Sequence, residues 1–121
     1  DKGGVLAARQ IFITFLTQKG NERLRDRVQL FSPKVGVQPT SMQVKDTGYR
    51  WASCSPNGRL NFHWKCMMAP LRIIDYIVVH ELCHFHHRNH SDSFWNEVDK
   101  VMPNYRDRKE WLRKKGASLT V

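Results

Sequence analysis

The sequence predicts an α+β domain, with helices packed on one face of a small three-stranded antiparallel sheet. Three observations carry this. Apolar residues recur at helical spacing early in the chain, alternation takes over between residues 41 and 64, and helical spacing returns after Ala69-Pro70. The 121 residues suffice for one hydrophobic core, so a single domain over 1–121 is expected.

Two N-terminal helices come first. Leu6, Ile13 and Leu16 give residues 5–18 an apolar stripe, and residues 22–31 form the second helix. Ser32-Pro33 ends it, because the residue before proline is pushed out of helical geometry. Residues 41–45 alternate as a strand and residues 49–52 form another. Pro56-Asn57-Gly58 then turns the chain into a third strand over 59–64, since Asn-Gly readily takes the left-handed angles of a tight hairpin. Ala69-Pro70 opens the next helix, with proline tolerated in its first turn. There Leu71, Ile73, Ile74, Tyr76, Ile77, Val78 and Val79 are apolar nearly all round, the mark of a buried helix. His87-Arg88-Asn89 reads as its end, because asparagine tolerates the left-handed conformation that turns a chain away. Ser91 suits the N-cap of a further helix carrying Phe94, Trp95, Val98, Val101 and Met102. A last helix offers Tyr105, Trp111 and Leu112 to the core.

On the buried helix lies the run His80-Glu81-Leu82-Cys83-His84. Histidines four apart share one helical face and can grip a single zinc ion, while Glu81 can reach a water held by that ion. Zinc lowers the pKa of such a water from 15.7 to about 7, and a carboxylate can then take its proton during attack on a carbonyl. Leaving His80, Glu81 and His84 buried without partners would cost about 1–3 kcal/mol for each group. A third ligand is sought among His86, His87, His90, Asp92 and Glu97. His87 would sit about 10 Å along the axis from His80, too far to share an ion, and His86 points to another face. A corner at 87–89 would return His90 to the metal, so the expected ligands are His80, His84 and His90, with Glu97 as the alternative. For a developing oxyanion the candidates are His63, Tyr105 and Arg106.

The formal charge is +9, with basic residues crowded at both ends: Arg9 to Arg27, and Lys100 to Lys115. A solvated basic surface accounts for this, and binding of nucleic acid through released counterions is the sharper reading. Cys54, Cys66 and Cys83 are an odd number without zinc-ribbon spacing, which suits a reducing, cytoplasmic setting. No apolar run is long enough to span a membrane, and no signal peptide is read.

Several ordered segments resemble the YgjP-like zinc metallopeptidases, relatives of the WLM and SprT-like proteases. They are Arg50-Trp51-Ala52-Ser53-Cys54-Ser55, Gly58-Arg59-Leu60 leading to Trp64, Ala69-Pro70, the run from Ile74 to His84, Asn89-His90-Ser91 with Phe94-Trp95, and Trp111-Leu112. The likeness covers about residues 22–116. It implies a minimal zincin-like fold, a zinc cofactor held by His80, His84 and His90, Glu81 as catalytic acid/base, and a polypeptide substrate. In proteases of this kind a peptide adds as a strand to the sheet edge, and residues 59–64 are the expected edge. The resemblance also brings a second activity, nucleotide pyrophosphatase acting on UTP. A non-catalytic, zinc-stabilised basic module is the third reading, but such a module has no need of Glu81.

Overall fold

The computed structural model describes residues 2–116, so both ends of the domain expected over 1–121 lie outside the described residues. Its N-terminal part is one helix, α1 (Lys2–Val35), where the sequence predicted two. The helix runs unbroken through residues 19–21, and Gly20 there lies on its buried face: a Cβ would sit 3.2 Å from Val44 Cγ1 and 3.2 Å from Met67 Cγ. Glycine thus permits close approach of helix and sheet, against a helix-propensity cost of about 1 kcal/mol. Pro33 also falls inside α1, since a proline in the last turn removes only one helical donor. The stop is Gly36, with φ of 83°, where the N–H groups of Gly36 and Val37 both donate to Ser32 C=O at 2.8 and 3.0 Å.

The sheet consists of β1 (Ser41–Lys45), β2 (Ala52–Cys54) and β3 (Arg59–His63), in the order β1-β3-β2. It is mixed rather than antiparallel: β3 runs parallel to β1 and antiparallel to β2. The Asn57-Gly58 hairpin forms as expected, with Gly58 at φ 84° and Ser55 N–H donating to Arg59 C=O at 2.9 Å. That hairpin lays β2 on one side of β3, and the 46–51 connection leaves β1 on the other. Residues 59–64 are therefore the middle of the sheet, not its edge. The second strand lies at 52–54 instead of 49–52, and β3 ends at His63, which caps a 3-10 helix over Trp64–Met68.

Three helices follow, α2 (Leu71–Cys83), α3 (Asp92–Val101) and α4 (Tyr105–Lys115). Pro70 caps α2, whose Ile73, Ile74, Val78, Val79, Leu82 and Cys83 are all but fully buried. Each such aliphatic side chain stabilises the fold by about 1.5–3 kcal/mol. Around α2 pack α1, β2, α3 and α4, so the helix carrying the histidine pair is the axis of the domain. Phe62 and Leu60 of β3, Leu24 of α1 and Phe94 and Val98 of α3 close the same core. Among the described residues no helix is long and apolar enough to cross a membrane.

A candidate metal centre

Tyr76, His80 and His84 follow one another at four-residue spacing, so α2 presents all three on one face. The regular helix ends at Cys83, and a turn over 84–86 follows, with His86 and His87 N–H both donating to Cys83 C=O. No non-glycine residue adopts positive φ among the described residues, so Asn89 contributes to the corner without the left-handed conformation expected of it. The corner nevertheless returns His90 to α2. Its Nε2 lies 3.2 Å from Nε2 of His80. Ser91 then caps α3, its hydroxyl accepting from Phe94 N–H at 3.4 Å, as the sequence predicted.

One ring nitrogen from each of His80, His84 and His90 lies within 4.8 Å of the others, so the three could hold a metal ion. Donor chemistry and spacing both fit. Nitrogens bound about 2.0–2.1 Å from one tetrahedral ion lie about 3.3 Å apart, close to the 3.2 Å between His80 and His90. The second ring nitrogens of His84 and His80 have partners. His84 Nδ1 lies 3.0 Å from His87 C=O, to which its N–H donates, leaving Nε2 free. His80 Nδ1 faces the Tyr76 hydroxyl at 3.4 Å. Burial above all, then the neighbouring His84, His90 and Lys109, pushes the His80 pKa down to about 3, so the ring stays neutral as a ligand must. Burial also lowers the pKa of His84.

Phe94 floors the cluster, its ring centre 4.5 to 5.0 Å from all three imidazoles. Trp95 stacks beside His90 and in turn on Tyr105. Glu81 is buried, and lines a cavity with His80, Tyr76, Trp51 and Arg50 between α2 and the strand edge. Burial pushes its pKa up to about 7, against the opposing charges of Arg88 and Arg50. A cation in the histidine cluster would pull it back down.

The remaining candidates lie outside the three-histidine cluster itself. Glu97 stays outside the cluster, its carboxylate accepting from Lys100 Nζ at 3.1 Å. Both ring nitrogens of His63 have partners within the fold: Nδ1 accepts from Lys65 N–H at 3.1 Å, and Nε2 faces Asp46 at 3.3 Å. Tyr105 is buried under Trp95, while Arg106 lies over the Tyr105 ring at 5.0 Å. His86 bonds Val35 C=O at 2.8 Å at the end of α1. Much of the C-terminal basic group is also engaged internally, Arg113 and Lys114 with Glu110 and Arg108 with Arg72 C=O. Sequence reasoning missed Tyr76 as a polar neighbour of the cluster. Its signal was the four-residue spacing to His80.

Compared with protein families, residues 4–115 match the YgjP-like metallopeptidase domain. The chain belongs to the YgjP-like metallopeptidase family. Two solved structures share the fold of this YgjP-like domain. One is the metallopeptidase zymogen abylysin of Pyrococcus abyssi, with TM-score 0.69 and 23% identity over 76% of this chain and 93% of that one. The other is the zymogen jannalysin of Methanocaldococcus jannaschii, with TM-score 0.67 and 20% identity over 76% and 95%. No curated protein matches the chain significantly.

Proposed function

We propose that this YgjP-like metallopeptidase holds zinc on His80, His84 and His90 and cleaves polypeptides with Glu81 as general base. The observation that carries this reading is the convergence of three imidazoles beside a buried carboxylate that opens into a cavity. An imidazole donor set suits zinc, which would supply Lewis acidity and a water ionised near neutral pH. Tyr76 and the His87 carbonyl orient the two helix-borne rings. Glu81 takes the proton of the attacking water on a carboxylate oxygen and passes it to the amine nitrogen of the departing peptide. The substrate lies along β2, an edge strand beside α2, where main-chain hydrogen bonds hold an extended peptide with its scissile carbonyl over the histidines.

The experiment is zinc content and hydrolysis of an unfolded polypeptide, measured in parallel on wild type, Glu81→Gln and His90→Ala, with UTP as a control substrate. Glu81→Gln should retain one zinc per chain and lose hydrolysis; His90→Ala should lose most of its zinc. Loss of zinc from Glu81→Gln overturns the assignment of the base, and unchanged zinc in His90→Ala overturns that of the third ligand. Turnover of UTP without turnover of polypeptide overturns the substrate class.

A further inference from the structure

Cations without acidic partners surround the histidine cluster. Arg50 lies two residues before β2 and lines the cavity that holds Glu81 and His80. Arg88 stands at the other end of the same strand, where Nη2 donates to Cys54 C=O at 2.7 Å. Both act electrostatically on the Glu81 carboxyl. On the helical side, Lys109 Nζ lies 4.1 Å from the centre of the Trp95 ring, which itself packs on His80 and His90, and its charge reaches His80. Arg106 shares with Lys109 a second cavity beside Trp95.

No carboxylate pairs with Arg50, Arg88 or Lys109 among the described residues. Two acids, Asp92 and Glu110, line that second cavity as well, but neither pairs with Lys109. Glu110 is already gripped by Arg113 and Lys114, and Asp92 sits in the first turn of α3. All three cations are exposed, and none engages its charge in an ion pair among the described residues, although Lys109 also rests on the Trp95 ring. An unbalanced positive field in a cleft raises the local concentration of anionic ligands and favours their residence.

We infer that the cleft selects acidic polypeptide segments, with Asp or Glu side chains flanking the scissile bond and facing Arg50 and Arg88 on the strand side and Lys109 on the helical side. This rests on the peptidase reading of the same site. A chain extended along β2 passes between Arg50 and Arg88, so charges on both sides of its cleaved bond find a guanidinium. Each side chain contributes roughly two- to fivefold, the size of a partly exposed ion pair.

The test uses three peptides of one core sequence, flanked by Glu, Ala or Lys. Binding is measured to zinc-loaded Glu81→Gln, and turnover to wild type. The Glu peptide should bind tightest and the Lys peptide weakest, with the difference shrinking as salt rises. In Lys109→Glu and Arg50→Glu the ratio of Glu-peptide to Ala-peptide binding should fall towards one or invert. Equal binding of all three peptides, or a ratio untouched by both reversals, overturns the inference. If wild type cleaves none of the peptides while Glu81→Gln still ranks them by charge, the charge selection stands and the peptidase reading fails.

Discussion

Arg27 of α1 grips both carboxylate oxygens of Asp75 on α2, with Nε 2.7 Å from Oδ1 and Nη2 2.8 Å from Oδ2. Asp75 is buried beneath the pair, and the contact raises the Arg27 pKa, with the hydrogen bond to Asp75 as the largest cause. The pair ties α1 to α2, the helix that carries His80 and His84.

Arg27→Ala leaves Asp75 buried and alone. A wholly buried pair broken this way costs roughly 3–5 kcal/mol. Arg27 keeps 27% of its side chain exposed, so about 2 kcal/mol is expected, read from the midpoint of urea unfolding. The double variant Arg27→Met with Asp75→Leu should recover most of the loss, because two apolar groups leave no charge stranded. Failure of both variants to move the midpoint in these directions would show that the pair is not a strut.

Tyr76→Phe removes the hydroxyl 3.4 Å from His80 Nδ1 while keeping the ring in the core. Groups that orient a metal-ligating histidine are worth about 10- to 100-fold in affinity. Given the length of this contact, we expect zinc affinity to fall by about tenfold, the low end of that range, in competition with a chelator. Unchanged affinity would leave Tyr76 as a packing residue.

His63 makes stability depend on pH. Burial lowers its pKa, helped by the Lys65 charge and opposed by Asp46. The unfolded chain therefore takes up the proton near the ordinary value of about 6.5, and the folded chain only at lower pH. With more protons bound when unfolded, stability rises with pH through this window, is complete above it, and is lost as pH falls through it. His80 and His84 act in the same direction, so the readout is the difference between wild type and His63→Asn. Asparagine keeps an acceptor for Lys65 N–H but does not titrate, and its unfolding midpoint should lose less between pH 7.5 and pH 5. Parallel slopes for the two proteins would refute the assignment.

What could be read from the sequence was local. The spacing of His80 and His84, the all-round apolar character of Ile73 to Val79, and Ser91 before Phe94 each constrain one or two turns of chain. Relations across the chain were less legible. Alternation in residues 41–45 says which face is buried, but hydrogen bonding to β3 in parallel depends on where a connection lands. Residues 5–18 and 22–31 read as two helices, whereas Gly20 between them is set by close approach to Val44 and Met67, which are far away in sequence. The cations around the centre come from a strand approach, a loop and α4, and no spacing rule joins Arg50, Arg88 and Lys109.

Arg88 belongs to the same short turn that carries His84 and His90, and its guanidinium is fastened to the Cys54 carbonyl at the end of β2. The turn that carries two of the three clustered histidines and the edge strand β2 are thus mechanically in series. Anything that displaces the strand edge pulls on that turn, so under the proposed function a peptide seated on the strand would brace the histidines, and an ion held by them would stiffen the strand.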